Sequence, residues 1–309
     1  MTAPPKTDPN RLLAAVLLGG ALVLPLSSPA ACLGMALHAH RGDPERPENS
    51  ATAVEAALAG DWDGAEIDIQ QLRDGAWVLH HDAFVGRTTS LKGRAVASID
   101  RATWEEVRLK DRSGRATTEP AALLSDAVQV AAAHAGKVLN VEIKQVNGDC
   151  QPAQAAARLL QQALPEGQWF LTSVDRRQLR CARQSDPAGY LGLIVLDPQA
   201  LAMASTSRLA QRGAARLHAP TIDRQWLMRL AQEVGPPVGV HVDINTLRSN
   251  PELLPTARAL GMPVFTYHLG ADRDHAQALQ AARRQSGLLP SGAVIDGPAA
   301  PFCRMVSAP

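Results

Sequence analysis

From residue 35 onward the chain alternates short apolar runs with longer stretches whose apolar residues recur every three or four positions. The runs at 35–39, 65–69, 138–143, 169–172, 190–196, 238–242, 264–267 and 293–295 have the length and density of strands buried on both faces. Between them, segments 52–59, 123–133, 152–164, 224–233, 251–260 and 275–284 carry helical spacing. Pro251 suits the first turn of its helix, and Gly261 is a natural stop. Repeated strand–helix alternation calls for a parallel α/β sheet, and about eight units point to a closed (β/α)8 TIM-like barrel. Two places disturb that count. Residues 77–80 follow an Arg73-Asp74-Gly75 turn signal and read as a small hairpin insertion after the second strand. Residues 216–219 are a ninth candidate for eight slots, so either they or 238–242 belong to an insertion. With no internal repeat or low-complexity linker, residues 31–309 are expected to form one barrel domain.

Composition narrows the function classes. A hydrophobic content of 46% supplies a large core. A formal net charge of +1 and 4% aromatics leave neither the basic surplus nor the stacking platforms that nucleic acids require, so no nucleic-acid partner is expected. Lys6 and Arg11 precede an unbroken apolar stretch at 12–24, and Ser28-Pro29-Ala30 places small residues where a signal peptidase cuts. The stretch falls short of the ~20 residues needed to span a bilayer. A signal peptide over 1–30 is therefore predicted, with a periplasmic or secreted product that keeps no stable membrane span. The alternative is a membrane anchor through the uncleaved segment. Cys32, Cys150, Cys181 and Cys303 form no Cys-x-x-Cys pair, which excludes a zinc knuckle or thioredoxin-like site. An even count in an exported chain favours disulfides. Of three connectivities the favoured one is Cys150–Cys181 with Cys32–Cys303, the latter joining termini that lie side by side when a barrel closes.

The chemistry-bearing residues stand mostly at the ends of the predicted strands. His40 and Arg41 end the first strand, Gly42 permits a close backbone approach, and Pro47-Glu48-Asn49 returns to the same rim. Glu66 and Asp68 lie two apart on a strand, so both face the barrel axis, and Glu142 repeats this on the neighbouring strand. Three carboxylates on adjacent strands can share one ion, and an all-oxygen donor set favours magnesium or calcium over zinc. Lys144 shares the face of Glu142, either to neutralise the carboxylates or to hold a phosphate. His81, succeeded by Asp82, is a candidate proton-transfer partner for His40, because phosphodiester cleavage needs a base for the nucleophile and an acid for the alkoxide. His80 points the other way, and His38 lies deeper as a structural residue. His134, His218, His241 and His275 are read as surface or packing residues, and His268 sits at a rim from which it reaches substrate.

Taken jointly these motifs resemble the glycerophosphodiester phosphodiesterase family. The likeness runs from Leu37 to Pro298. It rests on His40-Arg41-Gly42, Pro47-Glu48-Asn49-Ser50, Glu66-x-Asp68, His81-Asp82 with Arg87-Thr88-Thr89, Glu142-Ile143-Lys144, and Ser173 after the fourth strand. The resemblance implies a metal held by Glu66, Asp68 and Glu142, with His40 and His81 as the acid–base pair. It places Arg41 and Lys144 on the phosphate and the hairpin in a region inserted over the barrel mouth. Its implied reaction is hydrolysis of small-molecule glycerophosphodiesters to an alcohol and glycerol 3-phosphate, with either water or the neighbouring glycerol hydroxyl as nucleophile. The chain departs from the family where Phe265-Thr266-Tyr267-His268 stands for Trp-Thr-x-Asn, and where Ile295-Asp296 stands for Thr-Asp. Ile295-Asp296-Gly297-Pro298 is accordingly read as a barrel-closing strand end, and the alcohol moiety is left open. The alternatives are a lysophospholipase D or sphingomyelinase D-like phosphodiesterase, which needs an apolar path beside the metal, and a non-catalytic periplasmic binding barrel.

Overall fold

The computed structural model describes residues 32–144 and 148–308. The predicted signal peptide lies outside the described residues. Among the described residues eleven strands form: β1 Ala36–Ala39, β2 Gly64–Gln71, β3 Trp77–Leu79, β4 Arg108–Lys110, β5 Ala116–Pro120, β6 Val138–Ile143, β7 Trp169–Ser173, β8 Leu191–Val195, β9 Val238–Asp243, β10 Val264–Tyr267 and β11 Gly292–Ile295. β1, β2, β6, β7, β8, β9, β10 and β11 pair in parallel in that order, and β11 returns to β1 to close the expected (β/α)8 barrel.

Each barrel strand reads as an apolar run because its outward face is covered by helices. On β6, Leu139, Val141 and Ile143 are buried in the strand–helix core, while Asn140 and Glu142 point inward. The helices start and stop on local signals. Asp223 caps Arg224–Val234 by accepting from Trp226 N at 2.7 Å, Leu227, Leu230 and Val234 face the barrel, and Gly235 ends the helix at φ 86°.

The barrel floor is an aromatic layer. Phe170, Tyr190 and Phe265 pack with the buried imidazoles of His38 and His241, and His241 stacks on Phe265 at 4.6 Å between centroids. Gly192 makes room for it: an added Cβ would lie 2.5 Å from His241 Nε2. Burial lowers the His38 pKa to about 4 and that of His241 to about 3, so both are neutral packing groups. That agrees with the structural reading of both residues. His275 is buried as well, against Phe302 and the Thr266 hydroxyl.

Four details depart from the sequence expectations. Val238–Asp243 takes the sixth barrel slot, whereas 216–219 follow a short 3-10 turn (Ala214–Arg216) and carry no strand. The expected helix 251–260 begins only at Leu253, after a separate helix Ile244–Ser249 capped by Asp243. An additional helix, Arg176–Ser185, presents Leu179, Cys181 and Ala182 to the core. The insertion after β2 is larger than a hairpin. β3 pairs antiparallel with the end of β2, and a short helix, Arg101–Glu105, and the β4–β5 pair build a second core around Val78, Ile99 and Trp104. β5 was hidden from a search for apolar runs because none of its five residues is buried.

Both favoured disulfides are present, Cys32–Cys303 and Cys150–Cys181. Among the described residues no helix is long and apolar enough to cross a membrane.

Candidate active site

The register of β2 against β6 places Asp68 directly opposite Glu142, and Glu66 opposite Asn140 one pleat deeper. The three carboxylates are buried, with one oxygen of each within 4.8 Å of the others. Lys144 Nζ stands 2.8 Å from Glu142 Oε1 and 3.1 Å from Asp68 Oδ1, as its shared face with Glu142 predicted. Arg41 Nε lies 3.3 Å from the other Asp68 oxygen. Burial works against an ionised Asp68, but Lys144 and Arg41 outweigh it and hold its carboxyl well below the usual range. Glu66 goes the other way: burial first, then Asp68 and Glu142, push its pKa well up. No Lys or Arg among the described residues forms an ion pair with Glu66.

A tight backbone loop sets up this cluster. Arg41 and Asn49 both adopt left-handed backbone, at φ 60° and 55°. Asn tolerates that conformation, whereas for Arg it is a local strain held by neighbours. Those neighbours are identifiable: Arg41 N donates to Glu66 Oε2 at 3.0 Å, and Arg41 O accepts from Asn49 N at 2.9 Å. Gly42 follows at φ 83°, where a Cβ would sit 2.6 Å from that of Ala53. Asn49 then clamps Asp68 twice, donating from Nδ2 to Oδ2 at 2.8 Å and accepting the Asp68 N–H at 2.9 Å.

Each rim histidine has its own carboxylate. His40 Nδ1 donates to Asp296 Oδ1 at 2.7 Å, and His81 Nδ1 donates to Asp82 Oδ1 at 2.7 Å. A carboxylate can only accept, so in each neutral imidazole the proton is fixed on Nδ1 and Nε2 carries the lone pair. Asp82 is held in turn by Arg87 at 2.7 Å, and Arg87 makes a two-pronged pair with Glu48 at 2.7 and 2.9 Å. Glu48 also accepts from Arg41 Nη1 at 3.0 Å. This chain of ion pairs ties the insertion that carries His81 to the loop that carries His40.

Asp296 corrects the sequence reading, which left residues 295–298 as a strand end only. It stands one residue beyond β11, just after Val294 and Ile295 complete the strand. The signal was an acidic residue at the same rim as His40, on the neighbouring strand. The Glu48–Arg87–Asp82 link had no sequence signal, because it joins residues that only the folded insertion brings together. His80 is buried against Trp104, and His268 Nδ1 lies 3.6 Å from Asp243.

His40, Arg41, Glu66, His81, Glu142, Lys144 and Asp296 line one cavity of about 180 Å³ at the carboxyl ends of the strands. Glu48, Glu66, Asp68, Asp82, Glu142 and Asp296 bring six carboxylates against the three permanent cations Arg41, Arg87 and Lys144, a surplus of three negative charges. The donor set fits a hard divalent cation. Oxygens up to 4.8 Å apart match ligands ~2.0–2.6 Å from a shared ion. Asp68 Oδ1 is a buried acceptor without a hydrogen bond, although Lys144 lies within ion-pair distance of it.

Residues 40–299 match the glycerophosphoryl diester phosphodiesterase family profile. A glycerophosphodiester phosphodiesterase of Bacillus altitudinis is 33% identical over 113 residues, which cover 35% of this chain and 44% of that protein. The chain thus aligns with less than half the length of this curated relative. Among solved structures, an Oleispira antarctica phosphodiesterase in complex with the product sn-glycerol-3-phosphate superposes with a TM-score of 0.68 at 21% identity. That superposition covers 88% of this chain and 97% of the other. A glycerophosphodiester phosphodiesterase from Agrobacterium tumefaciens gives 0.62 at 16% identity, covering 87% and 99%. At these identities the structural likenesses carry the barrel fold, while the profile match spans most of the chain and includes every rim residue described above. The chain belongs to the glycerophosphoryl diester phosphodiesterase family.

Proposed function

We propose that this protein hydrolyses glycerophosphodiesters to an alcohol and sn-glycerol 3-phosphate. The observation that carries the reading is the pairing of two carboxylate-oriented imidazoles with a buried three-carboxylate cluster in one cavity. In the net reaction a water oxygen bonds to phosphorus, the phosphorus–oxygen bond to the alcohol breaks, and the alkoxide leaves with a proton. Of His40 and His81, one takes the proton from the attacking hydroxyl through Nε2 and the other, protonated, gives one to the leaving oxygen. Asp296 and Asp82 orient the rings and stabilise each imidazolium as it forms, as the acid of a catalytic triad does. Arg41 and Lys144 face the phosphate with fixed positive charge.

Glu66, Asp68 and Glu142 are the proposed ligands of one divalent cation, magnesium or calcium. When bound, that ion neutralises charge on the phosphoryl oxygens and lowers the pKa of a coordinated hydroxyl. The negative surplus supports such an ion, and so does Glu66, whose ionisation is opposed first by burial and then by the charges of Asp68 and Glu142, the setting in which a bound cation stabilises a carboxylate. Residues 31–309 are proposed to act as one barrel domain, exported behind a cleaved leader, and the two disulfides suit an oxidising compartment.

The test is release of sn-glycerol 3-phosphate from glycerophosphocholine by protein stripped with chelator and then given magnesium or calcium. Metal-restored turnover is the expected result. Absence of turnover on every glycerophosphodiester with either metal would favour the non-catalytic binding barrel.

A further inference from the structure

The cavity has two unlike halves. Its charged half comes from β1, β2, β6, the insertion and Asp296 just after β11. The other half, from β7 round to β10, contributes no carboxylate, Lys or Arg among the described residues. In their place stand Val174, Leu196, Leu201 and Leu269, which line the cavity yet remain 37%, 45%, 42% and 40% exposed. Ten large apolar side chains are exposed among the described residues, and these four gather at this one site. They follow the carboxyl ends of three different strands, β7, β8 and β10, so their convergence is a property of the barrel mouth rather than of one sticky loop. Leu201 sits on the short helix Pro198–Ala204, in a connection between β8 and β9 that also exposes Met203 and Leu209. Convergent, water-exposed apolar groups beside a polar site mark a surface meant to be covered by ligand.

We infer that this wall is a subsite for an aliphatic chain, and that the preferred substrate is a glycerophosphodiester carrying one. The inference rests on the proposed phosphodiesterase reading and specifies its substrate. It also supplies the apolar path that a lipid-directed activity requires and that the sequence left unseen. Among the described residues no carboxylate lines this side to meet a cationic head group: Asp197 and Asp243 lie fully buried behind it and already accept from the Thr246 hydroxyl and from the Asn245 and Leu269 N–H groups. Tyr267 is the single Phe, Tyr or Trp ring in the lining, and its hydroxyl donates to Val195 O at 3.1 Å. A sugar head group would leave four exposed apolar side chains facing hydroxyls. An alkyl chain covers them, whether it is esterified to the phosphate as the leaving alcohol or attached to the glycerol as in a lysophospholipid.

The experiment measures kcat/KM with the metal-loaded full chain over glycerophosphoethyl, -butyl and -octyl esters, with glycerophosphocholine and a lysophosphatidylcholine alongside. The expected result is a rise of at least about tenfold from ethyl to octyl, and a ratio of long to short chain that falls severalfold in Leu201→Gln and Leu269→Gln. A preference for the octyl ester over lysophosphatidylcholine puts the chain on the leaving alcohol, and the reverse preference puts it on the glycerol. Rates independent of chain length would overturn the subsite while leaving the phosphodiesterase reading intact. Calorimetric binding of octyl phosphate against ethyl phosphate reads the subsite without turnover. Equal affinities overturn it even if no diester is cleaved, and tighter octyl phosphate binding keeps it even if the proposed reaction fails.

Discussion

His38 and His40 stand two residues apart on one face of the barrel's first strand region, yet their surroundings make them different chemical groups. His38 lies in the aromatic floor beside Phe170 and Phe265, its Nδ1 has no hydrogen-bond partner, and burial alone drives its pKa down to about 4. His40, one pleat higher, is open to the cavity and donates to Asp296. The same contrast separates His241 and His275, buried without a carboxylate, from His81 with Asp82. Depth in the barrel and the presence of an acidic partner, not the residue type, divide the packing imidazoles from the two proposed to transfer protons.

The sharpest break of this contrast is expected at the carboxylates of the upper layer. Glu66→Gln keeps the shape but removes the charge of the acid that lacks a cationic partner. Turnover should fall by about 10³-fold or more, with metal affinity lost in parallel by calorimetry. Removing an imidazole's partner is expected to matter less and to show a different signature. Asp296→Asn and Asp82→Asn should each lower kcat by about 10²–10⁴-fold with little change in KM, because the ring loses its tautomer and orientation rather than the phosphate site.

The buried, uncharged imidazoles make their own prediction, on stability, His241 from the barrel floor and His275 from the helix Asp272–Ser286 packed outside it. The folded-state pKa values of His241 and His275 sit near 3, below the ~6.5 of an unfolded chain. As pH falls from about 6.5 the unfolded state binds the proton first, so stability is lost progressively down to about pH 3 and the loss then levels off. The full effect is on the order of 5 kcal/mol per group, at ~1.4 kcal/mol per pKa unit. His241→Gln cannot titrate but keeps a hydrogen-bonding group beside the Tyr190 hydroxyl. Its melting temperature should fall less than that of the parent between pH 6.5 and 4, and equal slopes would contradict the neutral-floor description. The smallest effect is expected from Arg87→Gln, which cuts the tie between the insertion and Glu48. A loss of roughly tenfold in kcat/KM, with the melting temperature within a few degrees, would fit a residue that acts through Asp82 and Glu48.

This contrast also explains what the sequence made legible. Strand parity alone placed Glu66, Asp68 and Glu142 together and set Lys144 beside them, because a period of two is enforced wherever both faces are buried. Barrel closure, which brings the termini side by side, favoured Cys32–Cys303, and Cys150–Cys181 was the pairing favoured alongside it. Other features lacked a local signal. Asp296 becomes the partner of His40 only because β11 closes onto β1, a contact spanning most of the chain. The β4–β5 pair and the Glu48–Arg87 link belong to an insertion whose polar, irregular sequence carries no period. The ninth strand candidate, Arg216-Leu217-His218-Ala219, is too short and too polar to be buried as a barrel strand, and it continues out of the 3-10 turn Ala214–Arg216 with Leu217 38% exposed. The apolar wall went unnoticed because its members come from three separate strand ends and never form a run.

We propose that His40 belongs to the reacting layer and His38 to the floor. The direct test is kcat/KM for glycerophosphodiester hydrolysis by His40→Ala and His38→Leu, each metal-loaded and each checked for its melting temperature. His40→Ala is expected to lose at least about 10³-fold while melting as the parent does, and His38→Leu to stay within about tenfold of the parent rate. A His40→Ala protein with undiminished turnover, or a folded His38→Leu protein as inactive as His40→Ala is expected to be, would contradict the account.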